Sequence, residues 1–363
     1  MKKMRRLLLT LCILASLGLR AQKNTTPADS VGDSQGWLEK LVKGFSKVDE
    51  NYVEPQHYNF SAMVQLTHTY DIYQLKSSTG QRLTLAPSPT MKVGPYFGWR
   101  WVFAGYTIDL KNLGTRITSK QEWDLSLYSA TIGLDLFYRR TGNDYKIRDV
   151  RIGDDKNLKA RLEGVSFDGL SVGITGFNLY YIFNHRRFSY PAAFSQSTCQ
   201  KISCGSWLAG IGYTHNSLEF DHEKLERLVE QYSSSTTTEQ LDSGLMFNSV
   251  KYDDFSVTGG YAYNWVFAKN WLACASASLG LAYKRSVGDA EQKRGFRFNN
   301  FNLDGIGRFA LVYNNMRWYA GASVVFHGYT YRKSRFSANN AFGSLNLYVG
   351  YNFGLRSEYK KKK

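Results

Sequence analysis

The sequence predicts an all-β chain: an antiparallel transmembrane β-barrel of about twelve strands, with ten to fourteen compatible, behind a short N-terminal amphipathic helix. Three observations carry this reading. First, residues 252–283 alternate with period two. Phe255, Val257, Tyr261, Tyr263, Trp265 and Phe267 take one face of the first arm, and Asp254, Ser256, Thr258, Ala262 and Asn264 take the other. Past Lys269-Asn270 the pattern resumes, with Trp271, Ala273, Ala275, Ala277, Leu279, Leu281 and Tyr283 opposite Cys274, Ser276, Ser278 and Gly280. Period two means strand, and a bulky face opposed by a small polar one inverts the soluble sandwich: lipid outside, polar lumen inside. Second, 15% aromatics, 32 Gly and only 6 Pro suit strands and tight turns, and 25 Tyr suit a membrane-water boundary. Third, no internal apolar run of roughly 18 residues exists, which argues against membrane helices. The negative mean hydropathy agrees with a barrel, whose strands give only every second residue to lipid.

Taken in order, Lys2, Lys3, Arg5 and Arg6 precede the apolar run Leu7 to Leu19, the layout of a secretory signal peptide over residues 1–21, with cleavage expected after Ala21 and Ser16 to Gly18 as the alternative site. Together with the barrel reading, it makes export to the outer membrane of a Gram-negative bacterium the expectation. Residues 22–35 read as a flexible leader. Residues 36–56 read as helix and linker, with Trp37, Leu38, Leu41, Val42, Phe45 and Val48 at helical spacing opposite Lys40, Lys43 and Lys47. The barrel occupies residues 57–355.

Its first strand alternates Tyr58, Phe60, Ala62, Val64 and Leu66 with polar neighbours; Lys76 to Gln81 turns, and Pro87 and Pro89 make Arg82 to Val93 an edge or a bend. Trp99 to Leu110 follows, then Ile117 to Tyr138 as one strand or two joined near Ser129. Asn143 to Gly164 is polar and reads as a loop. Val165 to Phe183, Phe188 to Ser197 and Ser203 to His215 read as strands. Ser217 to Val250 reads as a long surface loop holding a helix near Asp221 to Tyr232. Beyond the opening hairpin come strands at Phe301 to Tyr313, Met316 to Thr330 and Phe342 to Leu355. Tight connections at 269–270 and 314–315 alternate with long ones at 285–298 and 332–340, the pattern of periplasmic turns and outer loops. Residues 356–363 are a basic tail.

Formal charge is +16; loss of Lys2, Lys3, Arg5, Arg6 and Arg20 with the signal peptide takes the 46 cations to 41 against 30 anions, about +11. Solvated loop charge is the simplest reading. In an exported chain the excess points to outer-membrane lipids, lipopolysaccharide included, rather than to nucleic acid. The aromatic last strand, Tyr348 to Phe353, is similar to the signal read by barrel assembly machinery. Cys199 and Cys204 are close enough in sequence to bridge in an oxidising compartment, with free thiols the alternative. No cofactor is expected, and no His cluster supports a metal site.

FNHRRFSYPAAFSQSTCQKISCGSWLAGIGY, with GVSFDGLSVGITG before it and GGYAYNWVFAKNW after it, resembles domain-of-unknown-function family 4421 of Bacteroidetes-type bacteria, over about Tyr52 to Phe353. The resemblance implies an outer-membrane-type barrel and brings no catalytic residues. From the residues themselves, His215 and Ser217 share a strand face, so the imidazole could take the hydroxyl proton; the spacing resembles the His-x-Ser of outer-membrane lipid hydrolases. No oriented third partner is visible in sequence, and a non-enzymatic barrel is expected. Arg100, Asp109, Asp135, Asp304 and Arg308 lie within strands and should face a lumen, either plugging it or lining a pore. The leading reading is a structural, binding or small-solute transport barrel; a lipid hydrolase and a secreted soluble β-sandwich adhesin are the alternatives.

Overall fold

The structure, a computed structural model, describes residues 48–99, 102–105, 108–109, 121–141, 144–153, 157–233, 241–290, 293–332 and 336–360. The predicted signal peptide, leader and amphipathic helix lie outside the described residues, apart from 48–56. Among the described residues eighteen strands follow in chain order: β1 (Val53–Pro55), β2 (Tyr58–Ser77), β3 (Arg82–Pro87), β4 (Thr90–Trp99), β5 (Val102–Gly105), β6 (Ile108–Asp109), β7 (Gln121–Tyr128), β8 (Ile132–Arg140), β9 (Tyr145–Arg151), β10 (Ser166–Phe167), β11 (Leu170–Ile182), β12 (Thr198–Gln200), β13 (Cys204–Phe220), β14 (Phe247–Ala268), β15 (Trp271–Ala290), β16 (Lys293–Asn314), β17 (Trp318–Arg332) and β18 (Phe336–Leu355).

Sixteen of them form one antiparallel sheet, in which β2 is followed by β18, β17, β16, β15, β14, β13, β11, β8 and β7. The count exceeds twelve because short pieces such as β5, β6 and β10 join the long wall strands. Among the described residues no ladder joins β7 to β4, β5 or β6, so the sheet is not closed by hydrogen bonds. It is nevertheless rolled. Phe137 of β8 packs on His327 of β17 and Phe342 of β18 at ring-centroid distances of 5.8 and 5.9 Å, although seven steps of sheet order separate β8 from β18. The large apolar residues point out of the roll: Trp207, Val257 and Phe301 are each 67% exposed, while Asn264 and Lys284 inside are at 0%. That is the predicted inversion.

Several walls pack a tyrosine ring over a glycine of the neighbouring strand, as with Tyr319 opposite Gly350. The Tyr319 hydroxyl lies 2.6 Å from Ser61 Oγ, so the ring cannot swing away without losing a buried hydrogen bond. A Cβ on Gly350 would enter that ring. Gly350→Val is expected to cost about 1–3 kcal/mol by overpacking. A urea midpoint equal to wild type in lipid vesicles would show that the ring relocates freely.

Of the two readings of the Ile117 to Tyr138 span, the described part, from Gln121, is two strands, β7 and β8, turned where the Ser129 hydroxyl accepts the N–H groups of Thr131 and Ile132. Three expectations need correction. Asn143 to Gly164 is no simple loop: β9 pairs with β3, and a helix spans Leu158–Leu162. Its large apolar residues, Tyr145, Ile147, Val150, Ile152, Leu158 and Leu162, are few but all buried. The connections at 285–298 and 332–340 are mostly strand, since Val287 pairs with Arg297 and Arg332 with Ser337. Phe188 to Ser197 contains a helix, Tyr190–Phe194, started by Ser189 accepting from the Ala192 N–H with Pro191 in the first turn.

Candidate functional site

The bore of the roll is filled from one end by the segment between β11 and β13. Tyr190 leaves its short helix to place its hydroxyl 2.5 Å from Ser276 Oγ on the inner face of β15. Its ring stacks on Tyr128 and Phe194. Ala192 and Ala193 pack on Leu272, Cys274, Ala310 and Val312. Polar groups finish the seal: Asn264 donates to the Ser189 carbonyl (2.9 Å), Gln196 donates to the Tyr348 hydroxyl (2.8 Å), and Asn314 donates to Gln196 Oε1 (3.2 Å). β12 then pairs with β1, tying the chain before the first wall strand into the same plug.

The opposite end is covered by a hydrophobic cluster. β3, β9 and the Leu158–Leu162 helix contribute Leu83, Tyr145 and Leu158. The helix His222–Tyr232, capped by Asp221 accepting from the Lys224 N–H, adds Leu225 and Val229. Between plug and cap lies a chamber of about 610 Å³ whose lining includes Gln65, Thr67, Ser323, His327, Phe342 and Asn346. Gln65 donates to Thr67 Oγ1 (2.9 Å) and Asn346 Oδ1 (3.0 Å), forming a polar ladder on one wall.

Ionic groups cross this interior, where Asp71 and Arg139 are also buried. Arg308 of β16 donates to Asp135 of β8, which also accepts from Ser126 at 2.7 Å. The guanidinium carbon sits 5.0 Å from the centroid of the Tyr180 ring. Nearer the cap, the Lys284 ammonium lies 3.1 Å from Asp254 Oδ2 and 3.1 Å from Asp304 Oδ1, and donates to the Thr330 carbonyl at 3.0 Å.

Of the charged residues predicted to face inward, Asp135, Arg308 and Asp304 do so, and the first two meet as partners. Arg100 lies outside the described residues. Asp109 sits in β6 opposite Lys92, with its side chain outside them. Sequence reasoning missed Asp254 as a charged partner and Lys284 altogether. Both occupy the even, inward register of the hairpin, and following that register one residue past Tyr283 would have reached Lys284.

His215 and Ser217 share the outer face of β13, but among the described residues no hydrogen bond joins them. Instead His215 Nδ1 lies 2.8 Å from Asp253 Oδ1 on β14, and the Tyr213 hydroxyl donates to the same oxygen at 2.9 Å. Of the two alternatives for Cys199 and Cys204, the structure has both thiols free. The Cys199 thiol faces the Asn314 carbonyl and Met316, whereas Cys204 receives the Asn184 amide. Burial pushes the Cys199 thiol up to about 12, leaving little thiolate for exchange.

The geometry defines a class: a rolled antiparallel wall, apolar outside and ionic inside, with both ends of its bore filled. The chain belongs to the family described as Domain of unknown function (DUF4421), whose model matches residues 47–353. No curated protein matches the sequence. Among solved structures, the chain is similar to the outer membrane protease OmpT of Escherichia coli, at 8% identity over 81% of this chain and 97% of that one, TM-score 0.38. It is also similar to the translocator domain of the autotransporter NalP of Neisseria meningitidis, at 9% identity over 88% and 95%, TM-score 0.34. A third is Ail, the attachment invasion locus protein of Yersinia pestis, at 8% identity over 80% and 99%, TM-score 0.22. At these scores none of the three bears on the choice of function.

Proposed function

We propose that the protein is an integral barrel of the Gram-negative outer membrane that works with its bore closed, as a structural or ligand-binding component. The observation that carries this is the double seal, with the Tyr190 plug at one end and the apolar cap at the other. A general diffusion pore needs neither. The exposed apolar belt supports membrane insertion, because a soluble adhesin would leave Trp207, Val257, Leu279 and Phe301 in water. Outer-membrane lipids are the proposed surroundings, and a cleaved signal peptide with barrel assembly machinery the proposed route.

Two measurements test the reading. The protein is expected in a carbonate-washed outer-membrane pellet, and recovery in the soluble periplasm would sink it. Reconstituted in planar bilayers, it is expected to show no stable conductance; steady open channels from the wild-type chain would exclude the closed bore.

The lipid-hydrolase reading gains one observation, the Asp253 carboxylate holding His215 Nδ1. Among the described residues no nucleophile is held by that imidazole. The expected result is no phospholipid hydrolysis by the purified protein; hydrolysis abolished by Ser217→Ala would reverse the choice.

A further inference from the structure

Across β13, β14, β15 and β16 the outward residues fall into rows set by the ladder register. Tyr213, Phe255, Tyr283 and Phe301 form one row, each paired with the next. Their rings touch in pairs, at 4.9 Å for Tyr213–Phe255 and 5.3 Å for Tyr283–Phe301. This is the aromatic girdle at the capped end of the wall. One step further toward the cap lies the row His215, Asp253 and Arg285, and one step beyond that Ser217 and Lys251. Here the outer face changes from aromatic to charged within a single side-chain repeat. Arg285 and Lys251 are both exposed.

We infer that Lys251 and Arg285, flanked by the His215–Asp253 pair, form a docking surface for the phosphate of an anionic glycolipid in the outer leaflet. The inference rests on the membrane reading above. Position is the first argument: a cation one row past an aromatic girdle sits at headgroup level, where a phosphate is the natural counterion. Charge is the second. Arg285 stands directly opposite Asp253, and Lys251 lies two residues along β14 from Asp253 on the same face. Cross-strand neighbours lie roughly 5 Å apart, and same-face neighbours along a strand roughly 6.5 Å apart. Two long cationic side chains can therefore converge on one phosphate group. Asp253 is already shared by His215 and Tyr213, which leaves the Lys251 ammonium for an outside anion. Among the described residues no carboxylate forms an ion pair with Lys251.

The test uses the full mature chain in detergent micelles, with three probes: diphosphoryl lipid A, the same lipid dephosphorylated, and inorganic phosphate. Binding is read by native mass spectrometry and by the shift in thermal unfolding. Diphosphoryl lipid A is expected to bind and stabilise, and the double variant Lys251→Ser with Arg285→Ser to bind it roughly 30-fold more weakly, at about fivefold per cation. Both side chains are exposed, so the variant should fold normally. Affinity of the variant within twofold of wild type would overturn the inference. So would equal binding of the dephosphorylated lipid, and equal stabilisation by inorganic phosphate would reassign the cations to a free-anion site. A protein that fails to enter membranes would instead refute the barrel reading, a separate outcome in the fractionation.

Discussion

Asp135→Ala is expected to destabilise the barrel by about 3–5 kcal/mol, the cost of stranding a buried charge. Arg308 is 1% exposed and Asp135 6%, so the guanidinium cannot reach water when its carboxylate is removed. Tyr180 offers its ring face, and that contact, worth about 2 kcal/mol in a desolvated setting, does not replace the lost carboxylate. The bridge also joins strands far apart in sheet order, β8 and β16, across the bore. Losing it should loosen the roll and the Tyr190 plug resting beside it. The check is a double-mutant cycle by urea titration in lipid vesicles, with Asp135→Leu, Arg308→Met and the pair together. The pair should recover most of the loss, because two apolar side chains leave no orphan charge. If the double variant is as unstable as the sum of the singles, the interaction is not what holds the wall there.

How much of this was legible in the sequence depends on whether one face meets lipid. Along β14 and β15 the outer residues Phe255, Val257, Leu279 and Leu281 are bulky and the inner ones small, so period two is visible by eye. The plug was hidden because FSYPAAFSQS also alternates loosely. Its real signal was Ser189 two residues ahead of Pro191, a helix start that outweighs a weak strand pattern. The cap was hidden for the opposite reason: its β9 and helix carry few apolar residues among many charges, and they are recognisable only once folded against β3. Of the interior charges, Asp135, Asp304 and Arg308 could be singled out as ions inside strands, but which of them pair could not. Partnership across a bore depends on the roll of the whole sheet, and no local spacing encodes it.

The Lys284 cluster sets up the second large effect, and its arithmetic makes it directional. One ammonium faces two carboxyl groups, all three side chains within a few per cent of full burial, so the group holds one acid more than it has cations. Removing the cation by Lys284→Met leaves two buried carboxylates facing each other with no counterion, and is expected to cost about 3–5 kcal/mol. Asp254→Asn should be far milder, because it removes the surplus charge at nearly constant shape and leaves Lys284 paired one to one with Asp304. Asp254 is the right residue to neutralise. Asp304 Oδ1 accepts from Lys284 (3.1 Å) and from the Thr330 N–H (3.4 Å), while Asp254 Oδ2 has the Lys284 ammonium at 3.1 Å and, among the described residues, no backbone donor. Asp304→Asn, which disturbs the better-bonded partner, should fall between the two. Urea titrations of the three variants in lipid vesicles rank them. An Asp254→Asn loss equal to that of Lys284→Met would mean that the triad is a balanced structural unit, and the picture of one cation holding two competing anions would have to be abandoned.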